Sequence, residues 1–175
     1  PVIEPEAKWE KYCTMCPHVL WDEDAQIFKM WYSAGHMQEA DAIGYATSRD
    51  GIVWEKDARN PIFVPDEKNW WEMTKVEACF VMKEDGWYYM FYMGVNGDYH
   101  SGIGLARSRD GVTHWERHPD NPIVAGTDGL WDHGGTCKTA VLRTGDGYQM
   151  WYNGANDYGE QLGYAYHKGF KLFPD

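Results

Sequence analysis

Several groups in this chain are chemically able, and their spacing sorts them. Ser48-Arg49-Asp50-Gly51 and Ser108-Arg109-Asp110-Gly111 set a guanidinium beside a carboxylate twice, 60 residues apart. A group needed once for chemistry has no reason to recur at the same turn, whereas a turn does: Asp side chains bond nearby backbone amides and Gly takes a positive φ. Both motifs are therefore assigned to the scaffold. Cys13-x-x-Cys16 is half of a metal or redox motif, but no second pair follows and no βαβ pattern surrounds it. With Cys79 and Cys137 these are expected to be free, mostly buried thiols, with no metal and no cofactor. Gly134-Gly135 after Asp132-His133 resembles a phosphate loop, yet no helix follows to supply a dipole. Lys75, Lys138 and His133 fall on equivalent stretches of the chain, where together they can hold an array of hydroxyls, a carboxylate or a phosphate. The same residues also serve as a polar lining around trapped water. His18, after Pro17, is either a binding residue or a hydrogen-bonded core residue.

Ten Trp and 12 Tyr in 175 residues exceed what an ordinary core requires. Trp70, Trp71, Trp131 and Tyr99 are expected at the entrances of repeated units or on long loops, as stacking platforms or as packing between units. The charge of −11 repels phosphate backbones and anionic membrane surfaces, so nucleic acid and membrane are excluded as partners and sugars suit the rings better. No apolar run approaches the ~18 residues that span a bilayer. Pro1 is not a translational start, so an initiator Met, a leader or a longer segment is expected before it, which leaves the compartment, cytoplasmic or secreted, open.

The elements that must position these groups follow from a repeat. Met30-Trp31-Tyr32, Met90-Phe91-Tyr92 and Met150-Trp151-Tyr152 return every 60 residues. Ile43-Gly44-Tyr45-Ala46 is echoed by Ile103-Gly104-Leu105-Ala106 and by Leu162-Gly163-Tyr164-Ala165. Asn60-Pro61-Ile62 returns as Asn121-Pro122-Ile123, and Trp9-Glu10, Trp71-Glu72 and Trp131-Asp132 stand at the three entrances. Each unit reads as four antiparallel strands, with Asp-Gly as a hairpin signal. The fold class is all-β: β-propeller blades, three per chain, in one domain divided at about 1–59, 60–120 and 121–175. Known propellers have about four to eight blades, so three need completion. Phe173-Pro174-Asp175 followed by Pro1-Val2-Ile3 reads almost like His118-Pro119-Asp120-Asn121-Pro122-Ile123, which predicts a head-to-tail homodimer of six blades, the alternative being a fragment of a longer chain whose other blades lie elsewhere.

This blade text, Ile43 through Trp54 with Met30-Trp31-Tyr32 before it and Asn60-Pro61-Ile62 after it, resembles the arabinanase, levansucrase and invertase superfamily of five-bladed propellers acting on glycosides. The Ser-x-Asp-Gly turns are also similar to the structural Asp-box of sialidase blades. Glu77-Ala78-Cys79-Phe80-Val81-Met82-Lys83-Glu84-Asp85-Gly86-Trp87-Tyr88-Tyr89 is similar to the general-acid region of the arabinanase and xylosidase family, and Glu77 falls on the acid. Such a Glu holds its proton near neutral pH only in a desolvated setting, and Lys75 nearby works against that. The resemblance also implies an Asp before Pro17 as the second carboxylate. Cys16 stands there, and Lys138 in the third unit, so Asp132 or a second Glu77 from another chain would have to serve as base.

The expectation is a carbohydrate-handling site at one mouth of the central channel. Glu77 and Asp132 are its catalytic candidates; Lys75, Lys138, His133, His18, Trp71 and Trp131 are its binding candidates. A glycoside hydrolase is the first reading, and a glycan-binding or structural propeller without the catalytic Asp is the second.

Overall fold

The computed structural model describes residues 1–36 and 40–174. Apart from a 3-10 turn at Lys8–Glu10, its regular elements among those residues are strands. β1 (Cys13–Asp22), β2 (Ile27–Gly35), β3 (Ala40–Ser48) and β4 (Glu55–Lys56) pair antiparallel in chain order. β5 (Lys75–Glu84), β6 (Trp87–Val95), β7 (Ser101–Ser108) and β8 (Glu116–Arg117) repeat the pattern, with β9 (Val124–Ala125) also lying on β7. The third unit has three strands among the described residues, β10 (Gly135–Thr144), β11 (Gly147–Asn156) and β12 (Gly159–Lys168).

The second and third units share one sheet, because Gly135 meets Ser101 in a single parallel pair. A Cβ on Gly135 would lie 2.3 Å from Ser101 Oγ, so the contact requires glycine.

The second strand of each unit explains the Met-aromatic-Tyr runs. It has a sheet neighbour on both sides and, in the second unit, packing on both faces, so an unbroken apolar run replaces alternation. At the first junction Trp31 and Tyr45 of one unit pack on Val81, Tyr88 and Met90 of the next. At the second, Phe91 and Leu105 pack on Val141, Tyr148 and Met150. These are the same repeat positions. Each junction also carries a polar lock. Asp22 accepts the Tyr88 hydroxyl at 2.7 Å and pairs with Lys29 at 2.7 Å and Lys83 at 3.1 Å. Glu84 likewise accepts the Tyr148 hydroxyl at 2.5 Å and pairs with Arg143. Burial alone would raise the Asp22 carboxyl, but Lys29, Tyr88 and the Ala25 amide outweigh it and hold the group well below the usual carboxylate range.

The Ser-Arg-Asp-Gly motifs are turn scaffold, as expected. Ser48 Oγ accepts the Gly51 amide at 2.9 Å, and Asp50 Oδ1 accepts those of Ile52 and Val53 at 2.8 Å each. Asp110 does the same for Val112 and Thr113. The result is a loop of several residues rather than a two-residue hairpin, because Ser and Asp cap successive amides before β4 and β8 begin.

Candidate functional site

The first strands of the units, β1, β5 and β10, pack side by side, and each breaks its register once, between Met15 and His18, Glu77 and Phe80, and Cys137 and Ala140. Inside each break one residue takes a left-handed φ: Cys16 (48°), Ala78 (50°) and Lys138 (50°). A bulge adds a residue and re-aims the side chains around it, so three aligned bulges gather Cys16, Glu77 and Lys138 from three units. Glu77 is 5% exposed. Its Oε2 accepts the Ala40 amide at 3.1 Å, and the next amide, Ala78, donates to Ser33 Oγ at 2.9 Å. Both contacts reach into the first unit, so the carboxylate is fixed across a junction. Lys75 opens β5 two residues earlier, opposite Val95.

The thiols on these strands have titratable neighbours from all three units. Burial pushes the Cys16 thiol up, Glu77 adds to the rise and Lys138 opposes it. Burial raises Cys137 to about 11, with Lys138 opposing and Glu160, Glu77 and Cys16 adding; burial raises Cys79 to about 12. The four cysteines are free thiols. Lys138 pairs with Glu160 at 3.4 Å, and Glu160 also accepts the Asn153 amide at 2.6 Å, the main cause holding its carboxyl below the usual range. Sequence reasoning missed Glu160. It sits opposite Ala155 as Ser101 sits opposite Val95, and the acidic residue at the matching position of the first unit, Asp41, was the available signal. Among the described residues, no three His, Cys, Asp or Glu side chains are arranged to hold a metal.

The other candidates lie elsewhere. Trp71 requires a correction: it is 2% exposed and packed on Tyr92 at 5.6 Å, leaving no ring face for a sugar. A Cβ on Gly104 would lie 2.4 Å from its ring, so that glycine makes room for the indole. Trp131 holds the same place in the third unit, stacked on Tyr152 at 6.0 Å and half-buried. Asp132 is buried and accepts the Tyr152 hydroxyl at 3.4 Å. Glu10 accepts Tyr32 in the same way at 2.8 Å, and Glu72 interacts with Tyr92, so a Trp-acid-Tyr cluster recurs in all three units. Such recurrence gives Asp132 a structural task. His133 lies 4.0 Å from Asp157. His18 packs on Phe80 at 4.5 Å, and burial lowers its pKa, which favours the neutral ring.

The model for glycosyl hydrolases family 43 matches residues 4–168. The chain belongs to that family. The uncharacterized protein Rv1502 of Mycobacterium tuberculosis is 30% identical over 144 residues, covering 72% of this chain and 45% of its own. The chain thus spans less than half the length of that curated relative. Among solved structures, a glycoside hydrolase superposes with a TM-score of 0.75 at 22% identity, over 100% of this chain and 54% of its own. A beta-1,2-mannobiose phosphorylase from Listeria innocua, in complex with beta-1,2-mannobiose, superposes with a TM-score of 0.70 at 17% identity, over 94% of this chain and 43% of its own. At these identities the likeness is one of fold, and the fold is that of the propeller glycoside hydrolases. For this family 43 chain, no helix of the described residues is long and apolar enough to cross a membrane.

Proposed function

We propose that this chain is a carbohydrate-active propeller that hydrolyses a glycosidic bond, with Glu77 as general acid. The observation that carries the reading is the setting of Glu77: a buried carboxylate on a bulged first strand, oriented by a backbone amide of another unit. Glu77 protonates the leaving oxygen, while Lys75 and Lys138 orient hydroxyls. Asp132 is engaged with Tyr152, which favours a second copy's Glu77 over Asp132 as the base. Two copies joined head to tail would supply it. In support of that ring, Ile3 accepts the Thr14 hydroxyl at 3.1 Å much as Val124 accepts that of Thr136 at 3.0 Å. The N-terminal segment therefore lies on the first unit as the end of the second lies on the third.

The test is Glu77→Gln against a panel of glycosides. Release of reducing sugar should fall on the order of 10²-fold or more while circular dichroism stays that of the parent. Equal turnover in the variant removes the mechanism. A second reading, a glycan-binding propeller, is favoured by the partly buried, protonated thiol of Cys16 where the resemblance implies an Asp. Sugar binding seen by Trp fluorescence, with no product from the parent after long incubation, would establish it.

A further inference from the structure

The two junctions use the same repeat positions with different volumes. Trp31 at the first corresponds to Phe91 at the second, each paired with the third strand at Tyr45 and Leu105 respectively. Phe63, bridged to Ile43, corresponds to Val124, paired with Ile103. The first junction also receives Trp115 from the loop after β7, and the second receives the smaller Phe173 and Leu172 from the segment after β12. All three strand-register exchanges remove an aromatic ring or reduce its size. Phe173 is buried among these residues, with His118 at 4.9 Å and the Arg107 guanidinium at 4.2 Å from its ring, and it forms part of the wall of the space that remains.

The consequence is a cleft of about 530 Å³ between the second and third units. Its floor is apolar, with Phe91, Leu105 and Val124 facing Val141 and Met150, and His118 and Asp120 stand at its edge. A volume of this size accommodates a small ligand, and an apolar cavity made by missing side chains takes up the kind of ring that would have filled it. We infer that this junction is a binding site for a flat aromatic ring of indole or phenol size carrying a hydrogen-bond donor, the ring replacing the aromatic surface present at the first junction and the donor meeting Asp120. The site uses neither Glu77 nor Cys16 and Lys138 at the bulges, so it stands apart from the glycosidase reading.

Indole is the probe, with saturation transfer read on the ligand because the protein's ten Trp would mask fluorescence. The parent should show transfer to indole and a rise in Tm with indole concentration, and Glu77→Gln should show the same. The variant Phe91→Trp/Leu105→Tyr installs the residues that the first junction already accommodates; it should lose the transfer and the ligand-dependent rise. Should that pair fail to fold, Val124→Phe is the milder filling and should weaken transfer at least severalfold. Absence of transfer in the parent, or undiminished transfer in a folded, filled variant, overturns the inference. A cleft closed by a second copy or by further chain gives the first of these results.

Discussion

At Cys16 two effects act together: burial and the neighbouring Glu77 both disfavour the thiolate, so at neutral pH the residue presents a protonated thiol and cannot serve as base. The backbone does not forbid a carboxylate there, since a φ of 48° is one that Asp tolerates better than most residues. If the glycosidase reading holds, Cys16→Asp should raise product release on the order of 10²-fold. Unchanged or lower release would mean that the base comes from another chain. The buried thiols also predict an alkaline limit. Cys79 at about 12 and Cys137 at about 11 lie above their unfolded value of 9.0, so the unfolded chain releases these protons first. Their contribution is complete below pH 9 and is lost as pH rises through 11 and 12, at up to about 1.4 kcal/mol per thiol for each pH unit. Urea unfolding at pH 8 and pH 10.5 under reducing conditions should show the loss, and replacing both residues with Ala should flatten the slope.

Between elements, the junction locks decide how the units hold together. Tyr88→Phe removes the hydroxyl donor from buried Asp22 and should cost about 1–3 kcal/mol in denaturant unfolding; Tyr148→Phe should act the same way at Glu84. Asp22 sits below its unfolded value of 3.8, so its contribution is present above that pH and is lost as pH falls below it. Asp22→Asn should flatten the acid limb of the stability curve, and an unchanged limb would assign it to other carboxylates. These locks were not legible in the sequence, because Asp22, Glu84 and Thr144 at the same position share no residue type and their partners belong to the next unit. The first three strands of each unit and their order were legible, since a repeat of about 60 residues states them three times; a fourth strand in the third unit is not seen among the described residues, and β9 was not foreseen. Glu77 was reached through the resemblance and not through spacing. Trp71 was misassigned because an entrance indole looks the same in sequence whether it faces solvent or, as here, fills the space above Gly94 and Gly104.

In the whole molecule, the two outermost faces of the three units are left without a neighbour among the described residues. Leu142, Trp151 and Tyr164 on the third unit are 58%, 38% and 55% exposed, although their counterparts at both junctions are largely covered. On the first unit, Val19 and Trp21 are exposed where Val81 and Lys83 meet a neighbour. The lock is absent from both faces at once: Thr144 replaces the carboxylate on one, and Phe28 and Trp21 replace the tyrosine and the cation on the other. A junction formed between these faces in two copies would therefore bury apolar surface without stranding a charge, which would otherwise carry a penalty of several kcal/mol. This complementarity supports the proposed head-to-tail dimer. Light scattering behind size exclusion should give twice the mass of the 20.2 kDa chain. Trp151→Glu, which places a charge in that apolar junction, should return the mass to one chain with the strand content of the parent intact. A parent that runs as one chain would remove the dimer, and with it the second Glu77 as base.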